Sequence, residues 1–335
     1  ALTEQHAEEE HHDEDEHEEE GHDDHGHEEG PTTFANDASE FGLTFNLSNN
    51  QKFVINLADE ESSVIGAESF MNPVTSDELT FGYFRSAEYG KFNLDLGVRL
   101  DRIDRNGSIT EAHHDEDEHH DEDEHHDEDE HHDEEEGETT FFDKSFDNIS
   151  FALNLGRELN DYFDVDFGFA VVERAPSASE LFMNGPHLVT QRFEVGNTNL
   201  SAEESTNFEV TLNYNNDGAY SSFTMYRNSV DNYIYLMDET EEEHEEHDEE
   251  HEEGHDDHEG LTLANFMQQN AEFEGLEFQV GRMIELASGT LDIRYSRDEV
   301  SATFDDGHDV PRITPARNTY SLAYTKDSMV FKLML

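Results

Sequence analysis

The sequence predicts an all-β fold, namely an antiparallel transmembrane β-barrel with long surface loops, and three observations support this prediction. Apolar and polar residues alternate along many segments of the chain. The connections between these segments alternate between short turns and long polar stretches. The chain is also rich in aromatic residues, with 24 Phe and 11 Tyr. Period-two alternation indicates strands with one apolar face, and short turns opposite long loops are typical of outer-membrane barrels.

The alternation is clearest in five segments, in which the residues between the apolar positions are mostly polar. Several such strands are about ten residues long or longer, which matches the ~9–11 residues that cross a tilted bilayer. A soluble antiparallel sandwich also alternates, but the strand length and the aromatic content favour the barrel. The apolar positions are Leu94, Leu96, Val98 and Leu100; Phe163, Val165, Phe167 and Phe169; Phe208, Val210, Leu212 and Tyr214; Leu291, Ile293 and Tyr295; and Tyr320, Leu322 and Tyr324.

The predicted connections fall into two classes. Because the long loops of an outer-membrane barrel lie outside the cell, we expect the long class to be extracellular. The short turns are predicted at Ser86–Gly90, Glu158–Asp161, Asn215–Gly218, Ile284–Ser288 and Lys326–Ser328. The long connections are predicted at about 105–143, 174–204, 236–262 and 304–313.

Most of the charge of the chain lies in three acidic tracts, Ala1–Gly30, Glu111–Glu138 and Asp238–Glu259. The formal net charge is −67, and the tracts contain 48 of the 85 acidic residues, 20 of the 22 His and no Lys or Arg. A polyanion does not bind nucleic acid or an anionic membrane surface, so the expected partners of the tracts are cations. The tracts lie in the predicted long connections or at the start of the chain.

These tracts divide the chain into two parts. We expect residues 1–33 to be an acidic His-rich loop and residues 34–335 to be a partial barrel. The barrel would carry acidic His-rich loops at 111–138 and 238–259. The start of the chain has neither the basic nor the apolar region of a signal peptide and enters an acidic tract at once. We therefore expect the chain to begin inside a loop.

The histidines of the tracts are predicted metal ligands. Imidazole with carboxylate suits zinc, and also nickel, cobalt and copper. No tract has the defined four-ligand spacing of a structural zinc site, so we expect many weak, interchangeable sites that capture the ion. Solvated low-complexity runs without a ligand are the alternative, and the 20 histidines argue against it. The predicted ligands are His11, His12, His17, His22, His25 and His27; His113, His114, His119, His120, His125, His126, His131 and His132; and His244, His247, His251, His255 and His258.

Other classes of site are not indicated by the sequence. There is no Cys, which excludes thiolate metal sites and disulfides. The sequence contains no run of about 18 apolar residues, so it predicts no transmembrane helix. We find no Gly-rich phosphate loop and no Gly-x-Ser-x-Gly motif, so we do not expect the chain to be an enzyme. The pairs Asp164 with Asp166 and Asp95 with Asp101 are expected to line a wet lumen.

Five segments in order along the chain resemble segments of the TonB-dependent outer-membrane receptors. Each segment alone is a weak match, but their order from Arg174 to Arg317 is specific. Asn184–Thr190, Ile65–Phe70 and the His/acid loops are most similar to the zinc-uptake receptors of that family. The five segments are Arg174–Phe182; Phe193–Leu200 with Glu203–Glu209; Tyr226–Ile234; Asn270–Glu277; and Pro311–Arg317.

The resemblance implies a 22-stranded barrel with a plugged lumen in the bacterial outer membrane. It implies uptake of zinc, or a similar divalent metal, as cargo, without an organic cofactor, and energy coupling to the TonB complex through the plug. We find neither a plug nor the last barrel strands in this sequence, so we expect the chain to be part of such a receptor. The barrel strands would contact outer-membrane lipid.

The resemblance also implies a specific metal site below the loops, formed by His187 and Glu68. A lone His in a loop is more often a surface residue. His308 is another candidate, although an ordinary turn explains it equally well. Two alternatives to a zinc receptor remain open: a barrel receptor for haem or a metal chelate such as a siderophore, and a soluble extracellular metal-buffering or adhesive β-protein.

Overall fold

The chain forms a long antiparallel meander with one inserted helix and one inserted hairpin. The computed structural model describes residues 32–66, 69–110, 138–239 and 260–335. The inserted elements are the helix α1 (Ala178–Phe182) and the short strands β7 (Asn184–His187) and β8 (Arg192–Val195). The meander strands are β1 (Thr33–Ser48), β2 (Gln51–Ile65), β3 (Val74–Tyr89), β4 (Phe92–Thr110), β5 (Thr139–Glu158), β6 (Phe163–Arg174), β9 (Glu203–Asn216), β10 (Ala219–Asp238), β11 (Thr262–Leu286), β12 (Gly289–Phe304), β13 (Arg317–Lys326) and β14 (Met329–Met334).

Each meander strand pairs with its neighbours in sequence, except that β6 pairs with β9 across the inserted elements. The predicted all-β antiparallel fold is thereby confirmed. Among the described residues, the only helix is α1, and it is far too short to cross a membrane. The inserted strand β8 joins the same sheet because it pairs in parallel with the first residues of β11.

The connections alternate in length as predicted. The five predicted short turns are confirmed, and a sixth at residues 49–50 was not predicted. The connection predicted at about 105–143 is shorter than expected, because β4 continues to Thr110 and β5 begins at Thr139. The long connections are at 66–73, 111–138, 175–202, 239–261 and 305–316. Because β1 starts at the same end of the sheet as these connections, all three acidic tracts join the chain at that end.

The register gives the sheet one apolar and one polar face. In the central strands, Leu100 lies opposite Phe81 on one side and Ile149 on the other. Asp101 lies opposite Thr80 and Asn148 on the other face. Ile149 is 60% exposed, and many other apolar side chains on this face are also exposed, for example Leu100 and Phe81. Their exposure requires an apolar environment that the described residues do not supply.

The apolar face has a limited height. In β4 the apolar positions run from Phe92 to Leu100, and the next residue on that face is Arg102. Three aspartates then lie opposite one another on successive strands, Asp59 with Asp77 and Asp77 with Asp104. An apolar stretch of this length matches the ~9–11 residues that a strand needs to cross a tilted bilayer.

The polar face is covered at the end that carries the long connections. Phe182 of α1 is buried directly above Gly107, where a Cβ atom would lie 2.7 Å from the ring. Because β3 and β5 are far from β10 and β11 in the strand order, the sheet must curl around α1. Phe182 belongs to an apolar cluster that joins these four strands. Its members are Val74, Leu181, Phe182, Leu200 and Ile234, with Met71, Phe142, Phe146, Ala178 and Phe266 packed against them.

A local hydrogen-bond network fixes α1 in this place. Ser177 and Glu180 form a reciprocal capping box, in which each side chain accepts from the other residue's backbone N–H. Arg174 donates to both carboxylates of Glu180 and Glu203, and Glu203 in turn accepts from the backbone N–H of Ile234 at 2.6 Å. The sequence does not predict this helix, because five residues are too few to carry a periodic signal.

Candidate metal site

The hairpin β7–β8 is held against two other parts of the chain. Strand β8 pairs with β11, so that Arg192 lies opposite Thr262. On the other side the N–H of Asn184 donates to the carbonyl of Phe70 at 2.8 Å. Gly185 permits this close approach, because a Cβ there would lie 2.8 Å from the Cα of Phe70. The hairpin therefore has a defined position relative to both β11 and the 66–73 connection.

The register of the hairpin places His187 and Glu194 on the same face. Glu194 lies opposite Gly185, and His187 lies two residues further along β7. A tight turn follows His187, whose carbonyl accepts from the N–H of Thr190 at 3.0 Å. Gln191 completes the turn in the left-handed region with a φ of 54°. The missing side chain at Gly185 leaves this face open to Phe70.

His187 is enclosed on three sides. Its Nδ1 lies 3.0 Å from Oε1 of Glu194, whose side chain is only 8% exposed. The Oγ1 of Thr190 lies 2.9 Å from the same carboxylate oxygen. The imidazole stacks on the ring of Phe70 with centroids 5.3 Å apart. The His187 side chain remains 30% exposed, and no described residue forms a hydrogen bond with its Nε2.

The third acidic tract is anchored to this hairpin at both ends. Arg192 forms two hydrogen bonds of 2.7 Å with Asp238, the last residue of β10, and Arg312 donates to the same carboxylate. Beyond the tract, the N–H of Thr262 donates to the carbonyl of Gln191 at 3.2 Å. The hydrogen bonds and charge of Arg192 hold the pKa of Asp238 below its usual range, although partial burial opposes this.

The other two tracts join the described chain beside the same hairpin. Asn184 donates its side-chain N–H to the carbonyl of Thr110, the last described residue before the second tract, at 3.1 Å. Phe34, near the start of β1 and thus next to the first tract, packs its ring on Phe70 with centroids 5.6 Å apart. Phe70 is also the ring that stacks on His187. Described residues that border all three tracts therefore lie on the hairpin or on Phe70, which stacks on it.

Of the predicted metal ligands, the structure describes His187 and His308. Glu68 and every predicted ligand in the three tracts lie outside the described residues, and their predicted roles remain predictions. Phe70, which follows Glu68 by two residues in the sequence, stacks on His187. Within the described ranges, no three His, Asp or Glu side chains are grouped so that they could hold a metal ion.

His308 is in a different environment. It lies in the 305–316 connection, and its side chain is 83% exposed. Its Nδ1 lies 3.1 Å from Asp306, and its backbone N–H donates to the same carboxylate at 2.9 Å. The backbone hydrogen bond is the main reason why the pKa of Asp306 lies below its usual range, and Gln269 contributes a second hydrogen bond. This is the geometry of an exposed turn.

The paired carboxylates lie on the polar face, and Asp101, Asp164 and Asp166 have polar partners there. Asp101 accepts from Thr80 at 2.6 Å and from Arg99 at 2.8 Å. Asp164 and Asp166 both accept from the side-chain amide of Asn213. These contacts support a structural role on the polar face.

Sequence reasoning missed Glu194, Thr190 and Phe70 as neighbours of His187. Glu194 lies in the segment Phe193–Leu200, which indicates the family resemblance but does not by itself indicate a partner for His187. The available signal was local: a turn-forming stretch between Pro186-His187 and the alternating Arg192-Phe193-Glu194-Val195 predicts a short hairpin. The contact with Phe70 had no such signal, because it joins two separate connections.

Solved structures with a similar fold are receptors and transporters. The copper transporter OprC matches with a TM-score of 0.58 and 15% identity over 88% of this chain. The hemophore receptor HasR of Serratia marcescens matches with a TM-score of 0.50 and 13% identity over 90% of this chain. The ferric-catecholate import receptor Fiu of E. coli K12 matches with a TM-score of 0.51 and 13% identity over 89%.

At these identities the likeness shows the fold alone. The chain spans 41%, 53% and 42% of the lengths of those three chains, so it corresponds to about half of each or less. A family model described as TonB dependent receptor-like, beta-barrel, matches residues 16–331. Because this match covers nearly the whole chain, the chain belongs to the TonB-dependent receptor β-barrel family.

Proposed function

We propose that the chain is part of an outer-membrane receptor that takes up a divalent metal ion, with zinc as the expected cargo. The proteins of this family are outer-membrane transporters rather than enzymes. The acidic His-rich tracts capture the ion, and the hairpin β7–β8 receives it at His187. Glu68 is the proposed second ligand, carried by the chain beside Phe70.

The convergence on one hairpin of the described residues that border the three tracts carries this proposal. The tracts contain 20 of the 22 histidines. They join the described chain next to Phe34, Thr110 and Asp238, each of which contacts either the hairpin or Phe70, the ring that stacks on His187. The described residues that border the tracts are therefore close to the hairpin that carries His187. A dense negative charge also raises the local cation concentration within a Debye length of ~8–10 Å.

The two faces of the sheet support the membrane part of the proposal. The apolar face has the height of a bilayer-crossing strand and would contact lipid, whereas the polar face would line the lumen. We propose a closed barrel of 22 strands, of which the twelve meander strands form part. Movement of the ion through the lumen would require a plug and energy from the TonB complex, in keeping with the family.

The identity of the cargo rests on the donor set. Imidazole and carboxylate suit zinc and copper(II), whereas the absence of Cys removes the thiolates that select cuprous ion. OprC, one of the structures with a similar fold, is a copper transporter, and HasR and Fiu take haem-bearing and ferric-catecholate cargo. A receptor for haem or a chelate has no need for 20 histidines in acidic tracts, so the free ion is favoured.

Calorimetric titration of the detergent-solubilised receptor with zinc, copper(II), nickel and calcium tests the proposal. One form keeps the tracts, and a matched form has Asn in place of all 20 tract histidines. We expect many weak zinc sites that disappear in the Asn form, and one or two tighter sites that survive. His187→Ala in the Asn form should weaken the tighter site by more than the ~10–100-fold typical of losing an outer-shell partner.

The absence of zinc and copper binding in both forms would refute a metal receptor. Tight binding of haem or a ferric chelate instead would assign the barrel to the alternative cargo. Tight calcium binding would indicate carboxylate ligands, because calcium gains nothing from imidazole.

A further inference from the structure

We infer that Glu194 and Thr190 are positioning residues that orient His187 so that its Nε2 is the atom presented to the metal ion. This inference rests on the proposed function and deepens it, because it names the coordinating nitrogen and the groups that select it. Neither residue touches the ion in this arrangement. Both act through the imidazole.

The hydrogen bond to Glu194 determines which nitrogen is free. A carboxylate only accepts hydrogen bonds, so the contact of 3.0 Å between Nδ1 of His187 and Oε1 of Glu194 requires a proton on Nδ1. In a neutral imidazole the lone pair is then on Nε2. Metal-binding histidines typically donate their second N–H to a carboxylate or carbonyl in this manner, which fixes the ring and makes the ligand more basic.

The surroundings hold this arrangement rigidly. Glu194 is 6% exposed. Its Oε1 accepts a hydrogen bond from Nδ1 of His187 and a second one, of 2.9 Å, from the hydroxyl of Thr190. Phe70 stacks on the imidazole and restricts rotation of its plane. The ring can still be reached from solvent, because the His187 side chain is 30% exposed. The buried carboxylate of Glu194 therefore contacts the Nδ1 edge of the imidazole, and Nε2 points away from this carboxylate.

The hairpin is also held by contacts that do not involve the side chain of Glu194. Its position is fixed by the β8–β11 pairing, by the Arg192–Asp238 hydrogen bonds and by the contact of Asn184 with Phe70. Replacement of Glu194 by Gln preserves size and keeps an oxygen that accepts from Nδ1, but removes the charge. Replacement by Leu removes the acceptor as well. The two variants thus separate the charge of Glu194 from its hydrogen bond.

The test uses the receptor with Asn in place of the tract histidines, loaded with copper(II) as a spectroscopic probe. Electron spin echo envelope modulation detects the nitrogen of a coordinated imidazole that is remote from the copper and responds to its hydrogen bond. We expect a single remote nitrogen, lost in His187→Ala, with a signal shifted in Glu194→Gln and shifted further in Glu194→Leu. We expect zinc affinity to fall by ~10–100-fold in Glu194→Leu and by less in Glu194→Gln and Thr190→Val.

The outcomes distinguish this inference from the function on which it rests. A remote-nitrogen signal that depends on His187 but is identical in both Glu194 variants would overturn the inference and leave the metal site standing. A titration in which His187→Ala changes neither signal nor affinity would refute the metal site itself. A Glu194→Gln variant that retains hairpin protection in hydrogen–deuterium exchange while its copper signal shifts would exclude a purely structural effect.

Discussion

His187 and His308 are the two histidines outside the tracts, and each has its Nδ1 about one hydrogen-bond length from a carboxylate, at 3.0 and 3.1 Å. Their environments differ. The Glu194 side chain beside His187 is 8% exposed, whereas the Asp306 side chain beside His308 is 46% exposed. The imidazole of His187 also stacks on Phe70, while His308 is 83% exposed in a turn.

This comparison shows that a His–carboxylate pair alone does not identify a metal site. An exposed pair is screened by water and gains little from its partner, and its side chains sample many rotamers. A pair enclosed by a stacked ring and a buried carboxylate presents one nitrogen in one direction, which reduces the entropy lost on binding. Burial around the pair is therefore the feature that separates His187 from His308.

Gly185→Ala should have the largest effect, because it removes the enclosure without touching either partner of the pair. The new Cβ would lie 2.8 Å from the Cα of Phe70, and backbone cannot yield as a flexible side chain would. We expect a destabilisation of ~1–3 kcal/mol, measured as faster hydrogen–deuterium exchange in β7 and β8, together with weaker zinc binding at the tighter site.

Gly97→Ala is the matched control for that substitution. Its Cβ would lie 3.9 Å from the nearest atom, the Cβ of Ala152, which is an ordinary contact. Hairpin exchange and zinc affinity should remain as in the unsubstituted receptor. Equal effects of the two substitutions would mean that contact with Phe70 does not hold the His187 site.

A smaller effect is expected from pH, and it sharpens the comparison by separating the anchor from the imidazole. The pKa of Asp238 is lowered in the folded protein by Arg192. A lowered pKa stabilises the fold above the unfolded value, near ~3.9, and this stabilisation is lost as the pH falls through the folded value. Exchange protection of the hairpin should therefore persist at pH 5 and decline only below about pH 4.

Zinc capture by the tracts should follow a different pH range, because metal binding requires neutral imidazole and a free histidine side chain has a pKa near ~6.5. Asp238→Asn provides the control, since its hairpin protection should lack the decline below about pH 4. Loss of hairpin protection together with zinc capture near pH 6 would contradict an anchor formed by Asp238. Zinc capture that is unchanged between neutral pH and pH 5 would indicate carboxylate ligands in place of His.

The smallest effect is expected from His308→Ala. His308 is exposed, and its contact with Asp306 involves two groups that water already solvates. Stability should change by no more than ~0.5 kcal/mol, and calorimetry on the form with Asn in the tracts should find the tighter zinc site unchanged. A tighter site that disappears in His308→Ala but survives in His187→Ala would reverse the comparison.

Much of the fold could be predicted because the relevant signals are local. The alternation of Leu94 to Leu100 with Asn93 to Arg99 defines two faces without knowledge of any partner strand. The short turn at Asn215–Gly218 can be identified from its residue types, and Gly218 has the positive φ of 80° that such a turn requires. The ends of β4 and β5 were less well predicted, because both strands continue until Thr110 pairs with Thr139.

The site was predicted only in part. His187 was selected through its motif, but Glu194 was not linked to it. The two residues are seven positions apart, and a hairpin register is needed to place them on one face. Phe70 lies in the 66–73 connection, whereas Thr110 and Asp238 are the last residues of β4 and β10. No pattern within any one of these segments indicates that they meet.

The sequence by itself determined the alternating strands, the three acidic tracts and their content of imidazole and carboxylate groups, because periodicity and composition are properties of short stretches of chain. Only the tertiary structure decided where the described residues that border the tracts meet and which of His187 and His308 is enclosed. Both depend on the curling of the sheet around α1 and on the parallel pairing of β8 with β11. These contacts join residues distant in sequence, and their stability comes from burial that forms only when the whole sheet is assembled.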